Sequence, residues 1–297
     1  MSSIIENFQE ISNKYKAIFC DLWGCLHDGT KSFPESLNAL LDFRKNGGTV
    51  ILLTNAPRPR QNVVAFIEHL GITNKYFDNL ITSGDAARDA LNKGAFGNRI
   101  FHIGPEKNLC LFDNASESNL KADTEEIKLV GLDSASCIVC TGLIDDLNEH
   151  PSDYNKVLEE GVNANLPMLC ANPDIQVDYG ERRLWCAGAL AAAYAKFGGK
   201  TFYFGKPHQP IYDIALKAVK SINPEVKISE ILCVGDGLHT DISGGIANNF
   251  PTLFVCGGLS REETSVDGFS STLEGRKLSK FLLAEGVSPT TSMWHFQ

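Results

Sequence analysis

Four short apolar runs in this chain each stop on a polar residue, and that recurrence restricts the fold more than any other feature. Residues 17–24 read Ala-Ile-Phe-Cys-Asp-Leu-Trp-Gly, an apolar stretch that ends on the carboxylate of Asp21. Residues 49–55 (Thr-Val-Ile-Leu-Leu-Thr-Asn), 201–207 (Thr-Phe-Tyr-Phe-Gly-Lys-Pro) and 230–236 (Glu-Ile-Leu-Cys-Val-Gly-Asp) repeat the construction. Apolar runs of this length bounded by turn residues are buried strands. Between the first two, Ser32-x-x-Glu35 predicts a capping box opening a helix with Leu37, Leu40 and Leu41 on one face, stopped at Gly47-Gly48. A second helix, entered through Pro57 and Pro59, carries Val63, Phe66, Ile67 and Leu70 and ends at Gly71. Strand and helix alternating at this density predict an α/β fold with a Rossmann-like parallel sheet. Such sheets bind ligands beyond the carboxyl ends of their strands, so the four runs are expected to bring Asp21, Thr54, Lys206 and Asp236 to one edge.

From about residue 85 the alternation continues without catalytic acids at the strand ends. Arg99–Gly104, Lys128–Leu132, Ser136–Gly142 and Leu166–Ala171 read as short strands, and 187–198 as an alanine-rich helix stopped by Gly198-Gly199. The core pattern resumes at Thr201. The expected partition is a discontinuous core, 1–84 and 200–297, around an inserted α/β domain at 85–199. A length of 297 residues suits one large or two medium domains. The tail beyond about 262, rich in Ser, Thr and charge, is expected to be loosely ordered at its edges.

The net charge of −9 disfavours nucleic acid and anionic membrane surfaces as partners. It leaves room for a locally positive phosphate site. The N-terminus carries acids where a signal peptide would carry bases, and no run approaches the length of a membrane span. Of nine cysteines, Cys20, Cys137, Cys140, Cys233 and Cys256 lie inside strand-like runs. They read as buried, reduced thiols of a cytoplasmic protein. Cys137-x-x-Cys140 has no second pair, so neither zinc nor redox chemistry is expected of it.

The set Asp21, Thr54, Lys206 and Gly235-Asp236-Gly237-Leu238-His239-Thr240-Asp241, in that order, resembles the haloacid dehalogenase-like superfamily of phosphohydrolases. Ile81-Thr82-Ser83-Gly84-Asp85, Asn172-Pro173-Asp174 and Ala187-Gly188-Ala189-Leu190 look like its class IIA branch, which carries a large α/β cap. The resemblance implies a Mg²⁺-dependent hydrolase of a small phosphorylated metabolite, with cap-mediated homodimers. Asp21 falls on the nucleophile, Thr54 and Asn55 on the phosphate-binding loop, and Lys206 on the phosphate-binding lysine. Asp21, the Trp23 carbonyl, Asp236 and Asp241 fall on the metal site.

A carboxylate nucleophile divides phosphoryl transfer into two displacements through an aspartyl-phosphate. Three carboxylates would repel an incoming phosphate dianion, and a divalent cation together with Lys206 offsets them. Oxygen-only ligands suit Mg²⁺. One position departs from the family: its first motif is Asp-x-Asp-Gly, whose second aspartate is the general acid and base, and here Trp23 stands in that place. Indole exchanges no proton at neutral pH. Two readings stay open. Either another group supplies the proton, His27 first and then Asp28, His239 or a cap residue, or the chain is a catalytically impaired phosphate-ligand sensor on the same scaffold.

Overall fold

The computed structural model describes residues 2–113, 126–266 and 272–297. The strands Ala17–Cys20 and Thr49–Thr54 are buried along their whole length. Because successive side chains of a strand point to opposite faces, each run feeds two cores. Ile18, Cys20, Val50 and Leu52 pack with Leu37, Leu40, Phe43, Val63 and Ile67 on one side of the sheet. Ala17, Phe19, Ile51 and Leu53 pack with Ile211, Ala215 and Val219 on the other. The helices Pro34–Lys45 and Arg60–His69 therefore cover one face, and Gln209–Ile222 the other. Burial on both faces is the condition under which a parallel sheet is stable.

The strands in chain order are β1 (Ser3–Ile4), β2 (Ala17–Cys20), β3 (Thr49–Thr54), β4 (Asn79–Thr82), β5 (Arg99–Ile103), β6 (Lys128–Leu129), β7 (Cys137–Cys140), β8 (Met168–Cys170), β9 (Gln176–Tyr179), β10 (Arg182–Trp185), β11 (Thr201–Tyr203), β12 (Ile231–Gly235), β13 (Thr252–Val255) and β14 (Thr291–Met293). Seven form a parallel sheet in the order β1-β14-β13-β12-β2-β3-β4. Five form a second parallel sheet in the order β11-β8-β7-β5-β6, and β9 and β10 form an antiparallel hairpin. β2 thus lies between β12 and β3, so residues that follow these three strands emerge side by side.

Three expectations need correction. Thr201–Tyr203 pairs with Met168–Cys170 in the second sheet, so the boundary expected at 199–200 falls after this strand. Its residues are short and apolar like those of the main sheet, and only pairing distinguishes the two. The helix expected to open on Ser32 begins at Pro34, with Phe33 at the cap and no side-chain capping bond. Proline is favoured at the first helical position because its fixed φ suits the helix and the N–H it lacks would have no intrahelical partner. Third, the tail folds back: β14 lies between β13 and β1, and Phe296 is buried with its ring 5.2 Å from that of Phe8. Residues 267–271 of that tail lie outside the described residues.

The hairpin β9–β10 was not legible as a strand pair in the sequence. Cys137 and Cys140 sit on opposite faces of β7, Cys137 with Val139 and Leu169 and Cys140 with Ile138 and Met168, so they cannot converge on one ion. Among the described residues, no helix is long and apolar enough to cross a membrane. Since Phe296 fills a site between Phe8 and the main sheet, Phe296→Ala should destabilise the fold by about 3–5 kcal/mol, read from the midpoint of denaturant unfolding.

Candidate active site

Three adjacent strand ends supply three polar groups. Asp21 follows β2 and donates its backbone N–H to the Val234 carbonyl at 2.9 Å, which fixes it beside β12. Thr54 is the last residue of β3, and Asp236 follows β12. Lys206 arrives from elsewhere, on the loop that returns from β11 in the second sheet. Its side chain is 2% exposed, and its Nζ donates to Asp21 Oδ1 at 2.6 Å, Asp241 Oδ1 at 2.6 Å and the Leu53 carbonyl at 2.8 Å. An ammonium has three donors, and all three are committed.

The local sequence explains how these groups approach so closely. Gly24 has φ +71°, and a Cβ there would lie 2.0 Å from Asp236 Oδ2. Only glycine tolerates both the conformation and the contact. A Cβ at Gly205 would lie 2.3 Å from Asn55 Oδ1, the atom that accepts the Lys206 backbone N–H at 2.7 Å. The return loop is thus seated on the Asn55 amide, which in turn donates to the Lys206 carbonyl at 3.1 Å and to Asp174 Oδ1 at 2.9 Å.

Burial dominates the electrostatics. It holds the Asp21 carboxyl up at about 8 against an ordinary 3.8, with the Asp241 charge adding to the rise and Lys206 opposing it. Asp236 is pushed well above its ordinary value by burial and then by Asp21 and Asp241. For Lys206, burial would lower the value, but Asp21 and Asp241 outweigh it and hold the ammonium charged. Asp236 receives one hydrogen bond, from the Leu259 N–H at 3.0 Å. The cluster therefore sets three carboxyl groups against one ammonium whose donors are spent, so ionising all of them needs more positive charge than Lys206 supplies.

Asp21, Asp236 and Cys25 present ligand atoms within 4.8 Å of one another. The Cys25 thiol is pushed well up by burial and by neighbouring anions, so it stays protonated and is a poor donor to a hard ion. The two carboxylates fit a hard divalent cation with oxygen ligands. Asp241, which the resemblance places at the metal site, accepts from Lys206 through Oδ1 and from the Gly237 N–H through Oδ2.

The structure redistributes the other expected residues. Thr54 lines a cavity of about 430 Å³ with Asp21 and Trp23. The Asn55 side chain does not: both of its amide N–H donors are used on Asp174 and Lys206, which leaves only the backbone N–H of this residue for phosphate. His27 is displaced as a proton donor. It is fully buried, its Nδ1 accepts the Gly29 N–H at 3.0 Å, and its ring packs between Trp23 and Phe66. Burial lowers it to about 4, so it is neutral near pH 7. Asp28 holds its own loop by accepting from Thr30 and Lys31, and His239 faces Glu285 at the surface.

Sequence reasoning passed over Asp174. This cap residue lines the cavity with Asp21, and burial raises its carboxyl to about 6. Its Asn-Pro-Asp turn was visible, but its partner lies 119 positions away. The aromatic wall formed by Trp23, Phe66, Tyr179 and Trp185, and the guanidinium of Arg58, were also missed.

A sequence profile of the haloacid dehalogenase-like hydrolases matches residues 18–116, and a second, HAD-hydrolase-like profile matches residues 203–272. A solved hydrolase of the haloacid dehalogenase-like family from Brucella suis 1330 is 40% identical, with a TM-score of 0.84 over 99% of this chain and 100% of that one. The acid sugar phosphatase of Staphylococcus aureus is 26% identical over 259 residues, 84% of this chain and 90% of its own. The ribonucleotide monophosphatase NagD of Escherichia coli is 23% identical over 253 residues, 82% of this chain and 89% of its own.

The raised carboxyls set a pH dependence. A group whose folded value exceeds its unfolded one holds a proton in the fold that the unfolded chain has released, so stability falls as pH rises between the two. For Asp21 that window runs from 3.8 to about 8. Neutral His27 acts in the opposite direction between about 4 and 6.5, so the loss stands clear only above 6.5. With divalent cations chelated, the thermal midpoint should fall between pH 6.5 and about 8. Added Mg²⁺ should abolish that fall.

Proposed function

The chain belongs to the haloacid dehalogenase-like hydrolases, and on that premise we propose that it hydrolyses a small phosphate monoester through an aspartyl-phosphate on Asp21. The observation that carries this reading is the saturated Lys206. It ties down Asp21 Oδ1 and leaves Oδ2 as the oxygen that meets phosphorus. Relatives described as an acid sugar phosphatase and a ribonucleotide monophosphatase support a phosphorylated metabolite as substrate.

In the first displacement Asp21 Oδ2 attacks phosphorus and the ester oxygen departs with its electron pair. Thr54, whose Oγ1 already accepts the Ala56 N–H at 3.2 Å, has its hydroxyl proton free for a phosphoryl oxygen. Lys206 keeps its charge beside the nucleophile while remaining bonded to Asp21 and Asp241. Asp21, Asp236 and the Trp23 carbonyl would hold Mg²⁺, which supplies, when bound, the positive charge that ionising the carboxyls requires and so offsets repulsion of the phosphoryl dianion. In the second displacement water attacks the acyl phosphate and releases phosphate and the Asp21 carboxylate. Asp174 bonded to Asn55 keeps the second lobe over the site, which limits water to what the hydrolytic step uses.

Asp21→Asn tests the covalent step with a near-isosteric change. Phosphate release from an aryl phosphate should drop by on the order of 10⁴-fold or more, the scale reached when a covalent nucleophile is removed. Wild-type turnover should vanish in EDTA and return with Mg²⁺. Turnover by Asp21→Asn at the wild-type rate would sink the aspartyl-phosphate, and metal-independent turnover would sink the cation.

A further inference from the structure

With indole at position 23, the leaving oxygen must take its proton from another group, and three of the groups named from sequence are out of reach. His27 is buried and neutral with its Nδ1 committed to the Gly29 N–H. Asp28 holds its own loop, and His239 pairs with Glu285 at the surface. The cap remains.

Two cavities open at Asp21. One, of about 430 Å³, is lined by Thr54, and the other, of about 600 Å³, by Asp236. Four residues line both: Asp21, Trp23, Asp174 and Val177. Asp21 is the proposed nucleophile, and neither indole nor an isopropyl group exchanges a proton at neutral pH. Asp174 is the remaining member of the four that can. Asp146, Asp178 and Tyr179 each line one cavity alone. The two carboxylates among them are held, by Lys107 at 2.5 Å and by Arg183 at 2.8 Å.

Asp174 is fixed from three directions. Its backbone N–H donates to Asn172 Oδ1 at 3.1 Å, which closes the Asn-Pro-Asp turn. Its carbonyl accepts the Gly188 N–H at 3.0 Å, at the start of the helix Ala187–Lys196. Its Oδ1 accepts from the Asn55 amide at 2.9 Å, across the lobes. Among the described residues no hydrogen bond reaches Oδ2, so that oxygen can carry a proton. Burial raises the carboxyl to about 6, against the pull of Lys206 and the Asn55 hydrogen bond and with Asp241 adding to the rise. A group that ionises near the working pH can both give and take a proton. Asp21 lies near enough for the Asp174 charge to act on it.

We propose that Asp174 of the cap is the general acid and base of this chain, supplying from the second lobe the proton that Trp23 cannot. This rests on the phosphohydrolase reading above. In the first displacement the Asp21 Oδ2–phosphorus bond forms as the bond from phosphorus to the ester oxygen breaks. The Asp174 proton passes to that oxygen, so an alcohol leaves and Asp174 becomes a carboxylate. In the second, water attacks phosphorus, its proton passes to Asp174, and the bond from phosphorus to Asp21 breaks. Phosphate departs with both carboxyl groups back in their starting states.

Asp174→Asn keeps an oxygen for the Asn55 amide and removes the exchangeable proton. The full chain is assayed with Mg²⁺ on 4-nitrophenyl phosphate and benzyl phosphate. Alcohols ionise near the value for water, about 16, so benzyl alcohol leaves only with a proton. Phenols ionise near 10, so a phenolate leaves without one. On rapid mixing the variant should release about one nitrophenolate per site at close to the wild-type rate, the burst of a trapped covalent intermediate. Turnover should then run about 10²–10⁴-fold below wild type, because phosphorylated Asp21 waits for a base. Benzyl phosphate should show the same loss with no burst. A residue that merely held the lobes together would slow the burst and the steady rate alike.

The wild type gives an independent reading that needs no variant. Its kcat/KM should differ by less than about 10-fold between phenyl and benzyl phosphates, since a donor neutralises whichever oxygen departs. A fall of about 100-fold or more on benzyl phosphate would overturn the donor. Wild-type turnover of benzyl phosphate by Asp174→Asn would overturn the proposal while the phosphohydrolase reading stood. No turnover of any of these esters by the wild type would overturn the phosphohydrolase reading, and the proposal with it.

Discussion

A buried ammonium with every proton committed is the interaction on which the rest of this site depends. Taking a lysine charge out of water costs several kcal/mol or more unless partners meet it. Here two carboxylates and a carbonyl meet all three donors of Lys206. The dependence runs both ways. Asp21 and Asp241 are themselves buried, and Lys206 is the cation from which both accept a hydrogen bond. The geometry of the proposed nucleophile is therefore inseparable from the loop that carries the lysine, and that loop begins in the other sheet.

That loop couples the lobes to the chemistry. The Asn55 amide, beyond the end of β3, accepts the Lys206 N–H and donates to both the Lys206 carbonyl and the Asp174 carboxylate. One side chain of the main-sheet lobe thus bonds both the return crossing and Asp174 of the second lobe. A lobe shift that broke the Asp174 contact would loosen the seat of Lys206.

Position 23 shows how one residue alters a site whose remaining frame is intact. The strand, the Gly24 turn and the approach of Asp236 all survive the exchange of a carboxylate for an indole, because the turn uses only backbone at this position. The ring then finds other work: it packs against His27, meets Tyr179 from the cap and stacks with Phe66. Where the family resemblance places a proton donor, this chain presents an aromatic ring.

The amino-acid sequence by itself determined the elements that are local. Apolar runs of four to six residues bounded by turn residues specify buried strands, and the spacing of Leu37 and Leu40 or of Val63 and Ile67 specifies helices that pack on them. The polar group at the end of each run was legible because strand ends face the ligand edge of a parallel sheet. Tertiary structure decided what depends on pairing across long separations. Thr201–Tyr203 reads like a main-sheet strand, yet its hydrogen bonds go to Met168–Cys170. The tail reads as polar coil, yet Phe296 completes the core beside Phe8. His27 looked available because titration near neutrality is a property of the free side chain, whereas burial behind Trp23 is a property of the fold. Asp174 and Asn55 are separated by 119 residues, and no periodicity in the chain encodes their meeting. Local patterning sets which face each residue presents, but only the packed chain sets which faces meet, because long-range contacts are chosen by the burial of the whole molecule.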